Sequence, residues 1–297
     1  MSSDTYDVVC AGVIYLDLTF AGLEGLPRTG AELWARELEL SPGGMANTAV
    51  GLARLGLRTA VVGAIGRDLA GSYLRTMLEG AGVACRGPVT ERSALTAVLP
   101  IDGDRALVSH LPEDVAAAAQ SLADLQPRAL VTLVDQVVRA PRGTRVYAVS
   151  SHADVTAAAR GASIELAGCR AVITNRDEAL ALTGESTPEA AALALSKRAT
   201  IAVVTLGGRG ALAACDGQLT RAPAPAMRVR HTTGAGDLFV AAYVWADLAG
   251  LDVYDRLRWA TLYASRSLST LTAFAGAATL ADLTATAKEI GLSPRAI

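Results

Sequence analysis

Short apolar segments alternate with alanine-rich amphipathic segments along most of this chain, and this alternation limits its fold more than any other feature. Near-continuous apolar strands separated by helical segments predict a mostly parallel sheet with helices on both faces. The predicted strands are Val8–Ile14, Thr59–Ala64, Ala129–Val134, Val146–Val149, Ala171–Thr174, Ile201–Thr205 and Leu212–Ala214. The predicted helices are Ala46–Leu55, Ser72–Glu79, Glu178–Leu182, Glu189–Lys197, Leu238–Leu248, Asp255–Thr270 and Leu280–Ile290.

Two segments interrupt this alternation, at about residues 17–40 and 95–112. Both mix polar and apolar residues, have strand propensity and contain turn signals, so they are expected to leave the main sheet. Ligands of parallel α/β sheets bind beyond the carboxyl ends of the strands. We therefore expect one three-layer α/β domain over residues 1–297, with the two segments forming a small β lid above the site.

The composition excludes several classes of function. With 51% hydrophobic and 19% charged residues, the chain of 297 residues is expected to form a packed globular protein. A net charge of −2 gives no basic surface for nucleic acid or for an anionic membrane. There is no uninterrupted apolar run of about 18 residues and no signal-peptide pattern. Four scattered cysteines without a Cys-x-x-Cys pair indicate free thiols, so the expected location is the cytoplasm.

The run His231-Thr232-Thr233-Gly234-Ala235-Gly236-Asp237 carries the strongest chemical signal. Gly234, Ala235 and Gly236 precede an apolar helix, where unpaired backbone N–H groups and the helix dipole favour an anion. Asp237 follows directly, in the position of a general base for a hydroxyl that attacks phosphorus. An ordinary strand-to-helix turn with an aspartate near the N-cap would give the same residues.

Other nucleotide and hydrolase motifs are missing from the sequence. No Gly-x-x-x-x-Gly-Lys-Ser/Thr run occurs, which excludes a P-loop enzyme. The first strand is followed by Gly12-Val13-Ile14-Tyr15-Leu16-Asp17 and not by Gly-x-Gly-x-x-Gly, which argues against a dinucleotide-binding unit. No Gly-x-Ser-x-Gly elbow of a serine hydrolase is present.

Together, these motifs resemble the ribokinase-like (phosphofructokinase-B) carbohydrate kinases. Five matches follow one another in the order of that family and span about Val8 to Gly276. They are Gly43-Gly44-Met45-Ala46-Asn47 with Ala53-Arg54-Leu55-Gly56; Gly63, Gly66, Asp68 and Gly71; Asn175-Arg176-Asp177-Glu178; Thr205-Leu206-Gly207-Gly208-Arg209-Gly210; and Thr233-Gly234-Ala235-Gly236-Asp237.

The resemblance implies an acceptor site made by residues near the amino terminus. Gly43 and Gly44 would let the backbone approach a polyol closely, and the Asn47 amide offers a donor and an acceptor to its hydroxyls. Asp17 resembles the sugar-binding aspartate of the family. Apart from the resemblance, Asp135 at the end of the predicted strand Ala129–Val134 is a further candidate substrate contact. Taken singly, Asn47 could instead belong to a helix first turn and Asp17 to a solvated turn.

The resemblance also implies a nucleotide site for ATP. Thr205, Gly207 and Gly210 would shape the ATP pocket, although a simple strand-ending turn would need the same residue types. Asn175 and Glu178 could hold the phosphates and a hydrated Mg²⁺, with Glu178 acting indirectly. A helix N-cap with an acidic first turn is the structural alternative for this pair.

The function implied is an ATP-dependent kinase that phosphorylates a hydroxyl of a sugar or sugar derivative. A nucleoside kinase of the same family is the main alternative, and a catalytically silent nucleotide- or sugar-binding protein is a third. The resemblance further implies a homodimer that forms through the lid.

The sequence departs from the family pattern at two places. Many relatives have an aspartate where this chain has His231, and in potassium-activated members that carboxylate helps to bind the monovalent cation. Because an imidazole lacks an anionic oxygen, we predict weak or absent dependence on potassium. Val149-Ser150-Ser151 stands where relatives often have an aspartate-centred sequence, which leaves the choice of substrate open.

Overall fold

The computed structural model describes residues 5–101, 104–117, 122, 124–151, 165–227, 229 and 231–292. Within these ranges the strands are β1 Val8–Ala11, β2 Ile14–Ala21, β3 Glu37–Gly44, β4 Thr59–Val62, β5 Ile65–Gly66, β6 Val83–Cys85, β7 Val89–Thr90, β8 Ala94–Ile101, β9 Asp104–His110, β10 Ala129–Leu133, β11 Arg145–Val149, β12 Ala171–Asn175, β13 Ala202–Thr205, β14 Ala211–Cys215 and β15 Gln218–Ala222.

The α-helices are α1 Met45–Arg54, α2 Leu69–Gly80, α3 Glu113–Ala117, α4 Arg176–Thr183, α5 Pro188–Leu195, α6 Ala235–Leu248, α7 Val253–Ser267, α8 Ala273–Gly276 and α9 Leu280–Glu289. Two 3-10 helices lie at Val134–Arg139 and Gly207–Arg209. In the described part of the chain, no helix combines the length and the apolar character that a bilayer crossing needs.

The main sheet is mostly parallel, as predicted. Its strands in the described ranges follow the order β15-β14-β13-β12-β11-β10-β1-β4-β6. Strand β1 pairs in parallel with β10 and β4, and the antiparallel pairs are β13–β14 and β14–β15 at one end. Because the carboxyl ends of β1, β10, β11, β12 and β13 lie at one edge, the segments that follow these strands meet there.

Helices cover both faces of this sheet, which confirms the predicted three layers. Val8 and Cys10 of β1 point into a core shared with α1, α6 and α7. The alternate residues Val9 and Ala11 belong to a separate cluster on the opposite face. On that same opposite face, α4 and α5 pack against β12, β13 and β14. The alternation follows from the two-residue period of a strand.

The predicted first strand, Val8–Ile14, is wrong in its second half. Strand β1 ends at Ala11, and Ile14 begins β2 in a different sheet. The chain turns at Gly12, whose carbonyl oxygen a Cβ on Gly63 would overlap, so the backbones of these two glycines approach closely. Ile14 is fully buried in the main core, and its apolar side chain therefore continues the hydrophobic run past the turn.

The two segments expected outside the main sheet form a small sheet with the order β3-β2-β8-β9. Strand β2 pairs antiparallel with β3 and in parallel with β8, which in turn pairs antiparallel with β9. The strands reach further than the predicted segments, since β2 begins at Ile14, β3 ends at Gly44 and β8 begins at Ala94. The parallel β2–β8 pair joins the two segments into one unit.

Asp68 fastens the small sheet to α2. Its carboxylate accepts hydrogen bonds from the backbone N–H and the hydroxyl of Ser93 at 2.9 and 2.7 Å, and from the N–H of Gly71 at 2.8 Å. Burial opposes ionisation, but these bonds outweigh it and hold the pKa of Asp68 below its usual value. A Cβ on Gly71 would overlap the carbonyl of Gly66. Asp68, Gly66 and Gly71 of the family pattern therefore have a structural role, because they pack the start of α2 against the segment that leads into β8.

A buried ionic cluster anchors the carboxyl-terminal end of α6. Asp247 accepts two bonds from the Arg170 guanidinium, at 2.8 and 2.7 Å, and lies 2.8 Å from Nη1 of Arg256. The Tyr147 hydroxyl on β11 also donates to it. Burial opposes the charge, yet the bonds from Arg170 and Tyr147 keep the pKa of Asp247 low. The cluster fixes the axis of α6, which begins at the site.

Candidate active site

The candidate anion hole consists of the backbone N–H groups at the start of helix α6. Gly234 is its N-cap and has a left-handed φ of 73°, a conformation that a β-carbon disfavours. A Cβ there would also overlap the side chain of Ala273. Gly236 and Asp237 lie in the first turn, where N–H groups have no carbonyl partner within the helix. Ala235 and Gly236 line a cavity, so this end of the helix is open to a ligand.

Asp237 lies beside the anion hole and is held by α1. Its Oδ2 accepts a hydrogen bond of 3.0 Å from Nδ2 of Asn47, and its carbonyl oxygen accepts one of 3.3 Å from the Thr48 hydroxyl. Burial raises the pKa of Asp237 to about 6, although the Asn47 bond and the positive charge of Arg105 oppose this rise. The raised pKa makes this carboxylate more basic than an ordinary aspartate, as a general base requires.

Asp17 lies on β2 and faces the same space as Asp237. Its side chain is 9% exposed, and a Cβ on Gly43 would overlap its carboxylate. Burial, reinforced by the negative charge of Asp237, raises the pKa of Asp17 to about 7. Gly44 has a φ of 62° and caps α1 just before Asn47. The predicted residues Asp17, Gly43, Gly44 and Asn47 therefore come together next to Asp237.

A cavity of about 900 Å³ extends from the anion hole across the ends of β12 and β13. Thr205, Gly207 and Gly210 line it. Gly210 has a φ of 90°, a Cβ on it would overlap the carbonyl of Ala222, and its own carbonyl accepts a bond of 2.7 Å from the Leu206 N–H. The loop between β13 and β14 thus depends on this glycine to form one wall of the cavity.

Asn175 and Glu178 form a capping box at the start of α4. Asn175 Oδ1 accepts from the Glu178 N–H at 2.8 Å, and Glu178 Oε2 accepts from the Asn175 N–H at 3.1 Å. The same Oε2 accepts a bond of 2.5 Å from the Ser150 hydroxyl at the end of β11. Asn175 and Glu178 therefore do form the helix N-cap that was the alternative to a phosphate and magnesium site. Asn175 also lines the cavity, so the cap does not exclude a role beside a nucleotide.

Asp135 is the predicted site residue that is not brought to this cluster. It lies on the 3-10 helix Val134–Arg139 that follows β10, and its side chain is exposed. In the described ranges it is not among the residues that line the cavity beside Asp237. Contact between Asp135 and a substrate stays a prediction.

His231 lies three residues before the N-cap of α6. Its backbone N–H donates a bond of 3.2 Å to the carbonyl oxygen of Leu268, and its side chain is half-buried. The bond ties the start of the anion-hole loop to the end of α7. The predicted weak dependence on potassium is not tested by this geometry.

Sequence reasoning missed Arg105, which comes from β9 of the small sheet. Its Nη1 lies 3.5 Å from the Thr232 hydroxyl oxygen, and its guanidinium lines the cavity together with Ala235 and Gly236. The sequence offered one indication of its role, because Arg105 is a basic residue in the segment 95–112 that was expected to lie above the site. The strand register that brings it there could not be derived from local sequence.

Comparison with known proteins identifies the family to which this sequence is similar. The sequence pattern of the pfkB family carbohydrate kinases matches residues 7–276, which is most of the chain. The chain belongs to this family. The bifunctional protein HldE of Gluconacetobacter diazotrophicus is 28% identical over 286 residues, which cover 84% of this chain and 58% of HldE. This pfkB family chain thus spans little more than half the length of that relative.

Two ribokinases match this pfkB family chain over most of their length. The ribokinase of Bacillus subtilis is 30% identical over 265 residues, which cover 84% of this chain and 89% of the relative. The solved structure of Arabidopsis thaliana ribokinase complexed with ribose and ATP superposes with a TM-score of 0.75 at 23% identity. It covers 95% of this chain and 98% of that one. The structural likeness supports the predicted fold.

Proposed function

We propose that the protein is an ATP-dependent kinase that transfers the terminal phosphoryl group to a hydroxyl of a sugar or sugar derivative. The observation that carries this proposal is the placement of Asp237, a carboxylate with a pKa of about 6 at the first turn of α6. The first turn of α6 would then provide both a base for the proton of the attacking hydroxyl and N–H donors for the oxygens of the transferred phosphate.

The proposed reaction is a direct in-line displacement. Asp17 accepts hydrogen bonds from hydroxyls of the acceptor, and Asp237 removes the proton from the reacting hydroxyl. The acceptor oxygen then forms a bond to the terminal phosphorus while the bond between that phosphorus and the bridging oxygen breaks, and ADP leaves. The N–H groups of Gly234, Ala235 and Gly236 stabilise the charge on the phosphoryl oxygens. The Asn47 amide holds the Asp237 carboxylate in position.

The residues at the carboxyl end of β12 fit a hydrated Mg²⁺ better than a directly bound one. Asn175 and Asp177 line the cavity, and Glu178 lies in the same first turn of α4, so this end of β12 is rich in hard oxygen atoms. In the described part of the chain, however, no three acidic, histidine or cysteine side chains form a metal cluster. Mg²⁺ commonly keeps several waters and binds one or two carboxylates together with phosphates. When bound, it would neutralise phosphate charge.

The surroundings of Asp17 favour a polyol over a nucleoside as the acceptor. Ser41 and Thr96 are its direct partners on the neighbouring strands, and both are buried hydroxyl-bearing residues. Thr96 also bonds the Ser109 hydroxyl at 3.0 Å on the next strand. A row of hydroxyls suits a sugar, whereas bases are usually held by stacking on aromatic side chains. A catalytically silent binding protein would not need a basic carboxylate at the anion hole.

We also propose that the small sheet acts as a lid and joins two copies of the chain. The side of the sheet opposite Asp17 carries a continuous apolar row, which consists of Leu40, Leu18, Ala97 and Val108 in register. Leu38 and Val108 on this side are 53% and 65% exposed. Leu40, Leu18 and Ala97 are half-buried, and an apolar row with exposed members is a typical surface for a second subunit. Closure of the sheet would exclude water from the reacting phosphate.

The decisive experiment measures ADP release by the protein with ATP and Mg²⁺ across a panel of sugars, sugar phosphates and nucleosides. Turnover with sugars or sugar derivatives is the expected outcome, and it should disappear in Asp237→Asn. Preferential turnover of nucleosides would replace the proposal with its alternative. Binding of a panel member by calorimetry without any ADP release would identify a silent binding protein.

A further inference from the structure

Arg105 is a positively charged side chain that the small sheet brings to the loop before α6. It lies on β9, pairs with Pro100 on β8, and is on the same side of the sheet as Asp17. Its Nη1 lies 3.5 Å from the Thr232 hydroxyl, two residues before Gly234. A guanidinium is a planar fork of five N–H donors, and Arg105 lines the cavity in which a ligand would bind.

The charge of Arg105 already acts on the reaction centre. Its positive charge lowers the pKa of Asp237, against the larger effect of burial. The other ionisable groups coupled to Asp237 are Asp17 on β2 and Cys10 on β1, and Asp237 raises the pKa of both. Arg105 therefore brings a positive charge that acts on the Asp237 carboxylate, at the place where phosphate charge would enter.

We propose that Arg105 is a catalytic residue that contacts the terminal phosphate of ATP and stabilises its oxygens during transfer. This inference rests on the proposed kinase function and adds a side chain to the backbone groups of the anion hole. Helix α6 provides N–H groups on one side of the phosphate, and Arg105 reaches it from the small sheet on the other. Arginine suits this position because its planar fork binds phosphate oxygens in pairs and remains protonated throughout the reaction.

The position of Arg105 also links the small sheet to the chemistry. Asp237 and the N–H groups belong to the main domain, whereas Arg105 belongs to β9. The terminal phosphate is then fully neutralised only when the small sheet lies over the cavity. When no acceptor is bound and the small sheet is displaced, ATP would lack the contact with Arg105. Hydrolysis of ATP by water would then be slow.

The test compares Arg105→Ala and Arg105→Lys with Arg36→Ala. Arg36 is an exposed arginine just before β3, at the opposite edge of the small sheet, and serves as the control. We expect kcat to fall at least ~100-fold in Arg105→Ala, the scale of one lost oxyanion donor. Arg105→Lys should recover part of this loss, since it restores charge without the fork. Arg36→Ala should match the unmodified protein.

Two further readouts separate catalysis from a structural role. Calorimetry should show that Arg105→Ala loses the preference for a non-hydrolysable ATP analogue over ADP, because only the analogue has a terminal phosphate. The acid limb of kcat/KM should move to higher pH, because loss of the cation raises the pKa of Asp237. An unchanged ratio of analogue affinity to ADP affinity in Arg105→Ala would overturn the proposal. This holds also if the variant raises the KM of the acceptor.

The calorimetric measurement also distinguishes failure of this inference from failure of the proposed function. It requires nucleotide binding and no turnover, so it can be made before any acceptor is known. Absence of ADP release by the unmodified protein, with an intact analogue preference that depends on Arg105, would contradict the kinase function and leave the phosphate contact standing. Normal ADP release by both Arg105 variants would contradict the contact and leave the kinase function standing.

Discussion

Asn47 donates a hydrogen bond of 3.0 Å to the Asp237 carboxylate, although 190 positions separate the two residues in the chain. The bond joins the two ends of the family pattern, since Asn47 belongs to its first motif and Asp237 to its last. It also orients the proposed base, because one carboxylate oxygen is occupied by the amide. The other oxygen can then face the acceptor hydroxyl.

Replacement of Asp237 by asparagine should lower kcat at least ~100-fold, the scale of a lost general base. The change keeps the size of the side chain and removes a partly buried charge, so the fold should be retained. Steady-state ADP release and circular dichroism measure the two effects. Near-normal turnover in Asp237→Asn would remove this residue from its proposed role.

The activity should depend on pH through the two carboxylates. The base must be deprotonated, and the pKa of Asp237 is about 6 while that of Asp17 is about 7. We therefore expect kcat/KM to rise with pH between about 5 and 8 and to reach a plateau above that range. Because the two groups interact, the profile reports the pair as a whole. A flat profile down to pH 5 would contradict a base with a raised pKa.

Gly43→Ala should damage the acceptor site and spare the nucleotide site. The new methyl group would overlap the Asp17 carboxylate and displace it, and misplacement by about 1 Å can cost ~100-fold in kcat/KM. Affinity for ADP, measured by calorimetry, should stay the same because the cavity wall near Gly210 is unaffected. Gly25→Ala is the matched control, as open space surrounds that position. Equal kinetics for the two variants would argue against the role of Gly43.

Activity should respond weakly or not at all to potassium. His231 supplies no anionic oxygen where potassium-activated relatives have an aspartate, so a monovalent cation lacks that ligand. The measurement compares turnover in potassium, sodium and choline chloride at equal ionic strength. His231→Asp provides the converse test and should gain stimulation by potassium. Strong stimulation of the unmodified protein by potassium would refute the hypothesis.

Val108→Glu should convert the proposed dimer into a monomer. The substitution introduces a charge into the exposed apolar row of the small sheet, where burial against a second copy would be costly. Light scattering after gel filtration measures the molecular mass. Val89→Glu is the control, because Val89 is similarly exposed, at 51%, and lies on β7 outside the small sheet. A monomeric unmodified protein would exclude this interface.

The general plan of the fold could be predicted because the signals are local. Apolar runs such as Ala129–Leu133 and Ala171–Asn175 are strands in the structure at nearly the predicted bounds. Once the strands are parallel, the residues after them must share one edge, which brings Asn175 and Thr205 together. The anion hole before α6 was equally local, since it needs only a left-handed glycine and a helix start.

The contacts between distant segments could not be predicted, because they depend on register and on which sheet a strand joins. The bond from Arg105 to Thr232 spans 127 positions. The Thr272 hydroxyl bonds Glu39 at 2.9 Å and so connects the cap of α8 to β3, across 233 positions. The Asn175–Glu178 pair shows a different limit: a capping box and a magnesium site need the same residue types, so sequence cannot separate them.

The parallel pairing of β2 with β8 has a consequence for the descent of this protein. Each hairpin of the small sheet would expose an unpaired edge if the other were deleted, and exposed edges invite aggregation. An ancestor that had only one of the two hairpins would have had such an exposed edge and would have been prone to aggregate. The two hairpins are therefore expected to be retained or lost together among related proteins, although 49 residues lie between Gly44 and Ala94.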